Sequence, residues 1–250
     1  MTSPIPSEPR TQPQLYHAPP PVAAAVWITV GGILTIYAIQ LGLGALIGGL
    51  AAAALGFAVA ALEVIAAARL GGFSLGVRPA APRFVVAALM IGLACWYLEI
   101  QLVIHVHPPG DTSKIVEAVE HTALPVSLFV LALLPAIGEE LLFRGVFARA
   151  LARLPILAVV ASAALFSVYH TVPAQMLGTF PLALALGLLA VRSGSIVPGM
   201  IAHFLNNATV LVVERLNVTA IDHHPNLAFA GASVLVLGGV ALAVTGAGVA

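Results

Sequence analysis

The sequence predicts an all-α polytopic membrane protein, a transmembrane bundle of about eight helices. The chain is 60% hydrophobic and only 8% charged, whereas soluble proteins carry roughly 25% charged residues. It also contains repeated apolar segments of the length that crosses a bilayer, about 20 residues. The formal net charge is zero, so the basic surface of a nucleic-acid-binding protein is absent and we expect no nucleic-acid partner.

The apolar segments divide the chain into a tail and one domain. Residues 1–21 are rich in proline and polar residues, which predicts a disordered cytoplasmic tail. Residues 22–250 form the predicted transmembrane domain. We predict spans at 22–44, 46–68, 84–104, 123–150, 155–172, 175–191, 195–213 and 226–248.

The arginines between the spans predict the orientation in the membrane. If eight spans alternate, one side carries Arg10, Arg69, Arg78, Arg83, Arg149, Arg153 and Arg192. The other side has only Lys114 and Arg215 outside the spans. The positive-inside rule therefore predicts a multi-pass protein of the inner cell membrane with both termini in the cytoplasm, and an external loop at 105–122.

Two adjacent glutamates interrupt the fourth span. An ionisable group at membrane depth costs at least ~2.5–3.5 kcal/mol and so indicates a function. Neighbours on an α-helix point about 100° apart, so we expect Glu139 and Glu140 to have separate roles. Glu140 and Arg144 share one face and can pair, which leaves Glu139 as an unpaired carboxylate suited to a general base. The pair alone is equally compatible with a purely structural role.

Two histidines follow in later spans, each one helical turn from a second notable side chain. His170 lies four residues after Phe166 and could transfer a proton or bind a metal. His203 lies four residues before Asn207, and the two could donate hydrogen bonds to an oxyanion. The structural alternative is that either histidine simply hydrogen-bonds neighbouring helices together.

The spacing around Pro155 predicts that two of these side chains lie at one depth. Glu139 is 16 residues before Pro155 and His170 is 15 residues after it. An antiparallel helical hairpin would therefore place them side by side. Buried Cys95 is expected to act as a small hydrophobic residue, and Glu63 and Glu99 to lie at interfaces or bond across helices.

Three motifs in this region resemble those of the CPBP family, which includes the type II CAAX prenyl proteases and relatives involved in bacteriocin immunity. The motifs EExxxR, FxxxH and HxxxN occur here as Glu139-Glu140-Leu-Leu-Phe-Arg144, Phe166-Ser-Val-Tyr-His170 and His203-Phe-Leu-Asn-Asn207. They are in the family's order, on the fourth, fifth and seventh predicted spans. The resemblance covers about residues 123–213, which we take as the catalytic core.

The resemblance implies an intramembrane endopeptidase that cleaves a membrane-associated substrate, such as a prenylated CAAX-type peptide. Glu139 would activate a water with help from His170, while Glu140 and Arg144 brace the site. His203 and Asn207 would stabilise the oxyanion. Family members are commonly labelled metalloproteases, and Glu139, His170 and His203 could supply three zinc ligands. The residues are equally compatible with a metal-free site, so Zn²⁺ and no cofactor are both left open.

Two other functions compete with proteolysis at this stage. Chains of intramembrane glutamate and histidine also serve proton-coupled transporters, although transporters often contain internal repeats, and none is evident in this sequence. A non-catalytic immunity or scaffold protein would keep the same residues for structure alone. All three alternatives have membrane lipid as a partner, and proteolysis adds a membrane-associated peptide or protein substrate.

Overall fold

The computed structural model describes residues 18–110, 121–218 and 223–245, which form helices and no strand. The helices are α1 (Val22–Ile47), α2 (Gly49–Gly71), α3 (Pro82–Val106), α4 (Leu124–Ala148), α5 (Pro155–Tyr169), α6 (Pro173–Ser193), α7 (Val197–Leu216) and α8 (Pro225–Thr245). They confirm the all-α fold and correspond to the eight predicted spans. Most of the predicted tail and of the 105–122 loop lies outside the described residues.

Six of the eight helices are long and apolar enough to cross a membrane, which makes this a multi-pass membrane protein. The other two are α5 and α7. Helix α5 has 15 residues, or about 22 Å at 1.5 Å per residue, which is shorter than a hydrocarbon core of about 30 Å. The apolar run of α7 is interrupted by the polar residues of the predicted site.

Both ends of the described chain lie at the same end of the bundle. The Ser74 backbone N–H, in the α2–α3 connection, donates to the carbonyl of Ala18 at 3.1 Å. The Arg192 guanidinium, at the end of α6, donates to the carbonyl of Val244 at 2.6 Å. We call this end, which carries Arg192 and the α2–α3 and α6–α7 connections, the arginine end. The side of the membrane that it faces stays a prediction.

Helix α4 changes its winding twice between Leu128 and Ala148. It is π-helical at Leu128–Leu133, α-helical at Leu134–Glu139 and π-helical again at Glu140–Ala148. Pro135 lies at the start of the α-helical segment and lacks the backbone N–H that would continue the preceding pattern. The second change falls between the two glutamates, so their directions differ from those on an ideal α-helix. Single π-helical turns occur frequently at functional sites.

A close approach between α3 and α7 holds α7 in the core of the bundle. A Cβ on Gly92 would lie 2.8 Å from the Cα of Ala202, nearer than side chains tolerate. Glycine therefore lets the two backbones approach closely, as is common between membrane helices. Because Ala202 precedes His203, this contact also positions the histidine.

Candidate active site

The imidazole of His203 lies between the two adjacent glutamates of α4. Its Nδ1 is 3.3 Å from Oε1 of Glu140, and its Nε2 is 3.6 Å from Oε2 of Glu139. All three residues are buried, with at most 4% of their surface exposed. We expected Glu139 and Glu140 to have separate roles, but both carboxylates contact the same histidine. An imidazole has nitrogens on two sides of its ring, so both carboxylates reach it.

The predicted Glu140–Arg144 pair is present and fully buried. Arg144 Nη1 donates to Glu140 Oε1 at 2.8 Å, and Nη2 donates to the carbonyl of Ala183 on α6 at 2.8 Å. The guanidinium also lies over the Phe166 ring, 4.7 Å from its centroid, which favours a cation–π interaction. A buried ion pair is tolerated only with this kind of additional bonding, so Arg144 fixes Glu140 in place.

Phe166 connects His170 to the rest of the cluster. Its ring centroid lies 4.9 Å from that of His170 and 5.6 Å from that of His203. His170 Nδ1 donates to the backbone carbonyl of Phe166 at 2.9 Å. Because a carbonyl only accepts, this bond places a proton on Nδ1 and leaves Nε2 of the neutral ring as an acceptor. His170 thus joins the cluster through Phe166, not by a hydrogen bond to either glutamate among the described contacts.

Comparison with known families identifies this part of the chain. Residues 121–209 match the family model described as Type II CAAX prenyl endopeptidase Rce1-like. These residues form an Rce1-like domain. No curated protein and no solved structure matches the chain. The match confirms the resemblance to the type II CAAX protease family, and the Rce1-like domain contains all three motifs.

Tyr169 is a residue of the Rce1-like domain that sequence reasoning missed. Its hydroxyl lies within hydrogen-bonding reach of the Glu139 carboxylate, and its carbonyl accepts a hydrogen bond from the hydroxyl of Tyr37 on α1. Its ring packs against Phe143, with centroids 5.5 Å apart. The sequence offered one sign of this role, which is that Tyr169 directly precedes His170. A buried tyrosine usually finds a partner for its hydroxyl. The predicted α4–α5 hairpin accounts for this contact with Glu139.

Among the hydrogen bonds of the described residues, none joins Asn207 to Glu139 or Glu140. Its Nδ2 donates to the carbonyl of Leu131 at 3.3 Å, in the first π-helical segment of α4. His203 therefore contacts the two glutamates, whereas the amide of its predicted partner Asn207 contacts another turn of α4.

A second buried carboxyl group contacts α7 from α3 and lies outside the Rce1-like domain. Glu99 on α3 accepts hydrogen bonds from Asn206 Nδ2 at 3.2 Å and from Cys95 Sγ at 3.6 Å. The prediction that Glu99 lies at an interface or bonds across helices is confirmed, as is the burial of Cys95. The same holds for Glu63, which accepts from Thr35 at 3.0 Å. Asn206 as the partner was not foreseen.

The predicted zinc ligands are not gathered into a metal site. Within the described residues, no group of three or more His, Cys, Asp or Glu side chains is arranged to hold a metal ion. His203 has a carboxylate at each nitrogen, and His170 lies apart behind Phe166. The arrangement does not fit a zinc site with three protein ligands, and the chemistry that we propose uses side chains and water.

Proposed function

We propose that the chain is an intramembrane endopeptidase that hydrolyses a peptide bond of a membrane-associated substrate with a water activated by Glu139. One observation carries the proposal: Glu139, His203, Glu140 and Arg144 form one buried cluster inside an Rce1-like domain. A purely structural pair would need only Glu140 and Arg144. It does not explain a second buried carboxylate on the same histidine.

In this mechanism Glu139 is the general base. Its carboxylate takes a proton from a water, the resulting hydroxide attacks the peptide carbonyl, and the same carboxyl group returns the proton to the leaving amine. Tyr169 and His203 hold the carboxylate from two sides. Fixed hydrogen-bond donors are the means by which such a site maintains a productive geometry.

The other motif residues have supporting roles in the proposal. His170 Nε2 is the acceptor nitrogen of the neutral ring and assists the proton transfer, because Nδ1 is committed to the Phe166 carbonyl. Glu140 and Arg144 keep His203 in position. His203 and Asn207 stabilise the oxyanion, since positioned donors lower the energy of that intermediate. In this step His203 Nδ1 stays on Glu140, while His203 Nε2 and the Asn207 amide turn from their present partners to the oxyanion.

The substrate class follows from the location of the cluster. Helices long enough to cross the membrane surround it, so a peptide attached to the bilayer reaches it more readily than a soluble one. The family description names CAAX prenyl substrates, and we extend that class to this chain. The proposal includes an inner-membrane location with both termini in the cytoplasm, as the arginine distribution predicts.

The test measures cleavage of a fluorogenic farnesylated peptide with a CAAX-type end by the full chain in proteoliposomes. We expect Glu139→Gln to lower the rate by about 10²–10⁴-fold, the usual contribution of a general base. The matched control is Glu63→Gln, which removes a carboxylate from the exposed face of α2 and should leave the rate unchanged. Equal cleavage by Glu139→Gln and the unmodified chain would refute the proposal. The same peptide without its prenyl group tests the substrate class separately.

A further inference from the structure

A cavity at the arginine end shares one residue, Arg144, with the cluster just described. Its volume is about 100 Å³, and its lining includes Arg144, Arg149, Gly194 and Ser195. Arg149 follows the last turn of α4, while Gly194 and Ser195 form the turn between α6 and α7. The volume suits a small ion or a headgroup, not the body of a lipid.

Arg149 is a half-buried cation without a counter-ion. Its Nε is buried and has no hydrogen-bond partner, and no ion pair involves Arg149 in the described parts of the chain. Its guanidinium lies against Gly76, where an added Cβ would be 2.7 Å from Nη1. Removing a charge from water without a partner is costly, so this placement calls for an anion.

A second cation lies beside Arg149 and increases the positive charge. Arg78 donates from Nε to the carbonyl of Gly194 at 2.9 Å, which places its guanidinium at the rim of the cavity. Burial and, to a smaller extent, the charge of Arg78 lower the pKa of Arg149. A lowered pKa means that the surroundings of Arg149 disfavour its positive charge. A bound anion would favour that charge and raise the pKa.

The inner wall of the cavity adds further positive charge. Arg144 is fully buried, and its Nε has no partner within the described residues, although its other nitrogens are bonded. The first turn of α7 also begins beside Ser195 and Gly194, and the start of a helix carries a partial positive charge. Arg144 thus adds a fully buried cation to the wall of a cavity that already has Arg149 in its lining and Arg78 beside Gly194.

We propose that this cavity binds a phosphate-class oxyanion, held by Arg149 and Arg78 at the rim and attracted by the buried charge of Arg144 in the wall. Guanidinium groups suit phosphate because they donate parallel hydrogen bonds to its oxygens. The phosphate belongs to an anionic lipid headgroup or is free inorganic phosphate. The lipid source fits the position at a bundle end that the positive-inside rule assigns to the anionic cytoplasmic leaflet.

This site would be linked to the proposed active site through one side chain. Arg144 bonds Glu140 with Nη1 and forms part of the cavity wall, so an occupant would interact with the charge of the residue that braces Glu140. Binding itself does not require proteolysis. The site can therefore be tested in a chain that cleaves nothing.

The test measures the melting temperature of the purified full chain in neutral detergent and the number of lipids retained in native mass spectrometry. The probes are phosphatidylglycerol, inorganic phosphate and, as the zwitterionic control, phosphatidylcholine. We expect phosphatidylglycerol to raise the melting temperature and to be retained in preference to phosphatidylcholine. Arg149→Gln should weaken this binding on the order of tenfold, because it removes a charged donor. Stabilisation by inorganic phosphate alone, lost in the same variant, would identify the free anion as the source.

The control variant is Arg153→Gln, which removes the same charge from an exposed position after α4 and should leave binding unchanged. Arg149→Gln should also leave the ligand-free melting temperature equal or higher, because it removes an unpaired half-buried charge. Should that variant not fold, Arg78→Gln removes the rim cation instead. Equal weakening by the Arg149 and Arg153 variants, or no effect of either probe on the unmodified chain, would overturn the proposal.

Discussion

Two buried carboxyl clusters contact α7, one from α4 and one from α3, and they are built in different ways. On one side, Glu140 bonds to a fully buried guanidinium and lies against His203. On the α3 side, Glu99 accepts from neutral donors, among them the amide of Asn206 and the thiol of Cys95. The first cluster is held by charge and the second by neutral donors. Because His203 and Asn206 are three residues apart on α7, this one helix supplies a side chain to each cluster.

The difference indicates which cluster is built for chemistry. Breaking a charged buried pair leaves an uncompensated ion, which is strongly unfavourable, so the Glu140 side has little tolerance for change. Neutral hydrogen bonds across membrane helices contribute modestly and can be replaced. The Glu99 cluster therefore acts as a connection between α3 and α7, and the Glu140 cluster holds the proposed catalytic group in position.

The largest effect on stability is expected from removing the guanidinium. Arg144→Ala leaves Glu140 buried without its cation and removes the bond to Ala183, so we expect a loss of about 3–5 kcal/mol. Thermal unfolding in detergent measures it. Arg153→Ala, at an exposed position, is the matched control. A loss no greater than that of the control would mean that the pair does not stabilise the bundle.

A smaller effect is expected from adding one methyl group beside Glu140. A Cβ on Gly199 would lie 2.7 Å from Glu140 Oε2, so Gly199→Ala must displace a carboxylate that Arg144 holds. We expect a cost of about 1–3 kcal/mol, typical of overpacking, and a decrease in peptide cleavage. The control is Gly31→Ala, where an added Cβ meets nothing within 4 Å. Identical behaviour of the two variants would show that Glu140 moves freely.

The smallest effect is expected at Glu99. Glu99→Gln keeps the shape of the side chain and an oxygen that can accept from Asn206, and it removes only a charge that lacks a cationic partner. We expect a change in unfolding free energy below about 1.5 kcal/mol, the net contribution of an ordinary hydrogen bond. Thermal unfolding of Glu99→Gln and Arg144→Ala under the same conditions measures the difference between the two variants. A loss as large as that of the arginine variant would show that the two clusters are equally sensitive.

Hydropathy predicted much of the fold because the bilayer constrains helix length. The predicted span 22–44 corresponds to Val22–Ile47, and 195–213 corresponds to Val197–Leu216. Apolar runs of this length have few alternatives to a helix in hydrocarbon. The four-residue spacing of Glu140 and Arg144 likewise predicted their contact, which depends on one helix alone.

What hydropathy could not predict is the rotation of each helix about its axis. The contact between Glu99 and Asn206, and that between Tyr169 and Glu139, depend on which faces of separate helices meet. The π-helical winding after Glu139 adds a rotation that an ideal α-helix lacks. For this reason the convergence of Glu139 and Glu140 on His203 was not foreseen, although each residue had been singled out.

The most direct test of the account compares the two buried carboxyl groups in one cleavage assay. The unmodified chain, Glu139→Gln and Glu99→Gln are placed in identical proteoliposomes with the farnesylated peptide, and their initial rates are measured. The account predicts that Glu99→Gln stays within a few-fold of the unmodified chain while Glu139→Gln loses about 10²–10⁴-fold. Loss of cleavage in Glu99→Gln with full cleavage by Glu139→Gln would contradict it.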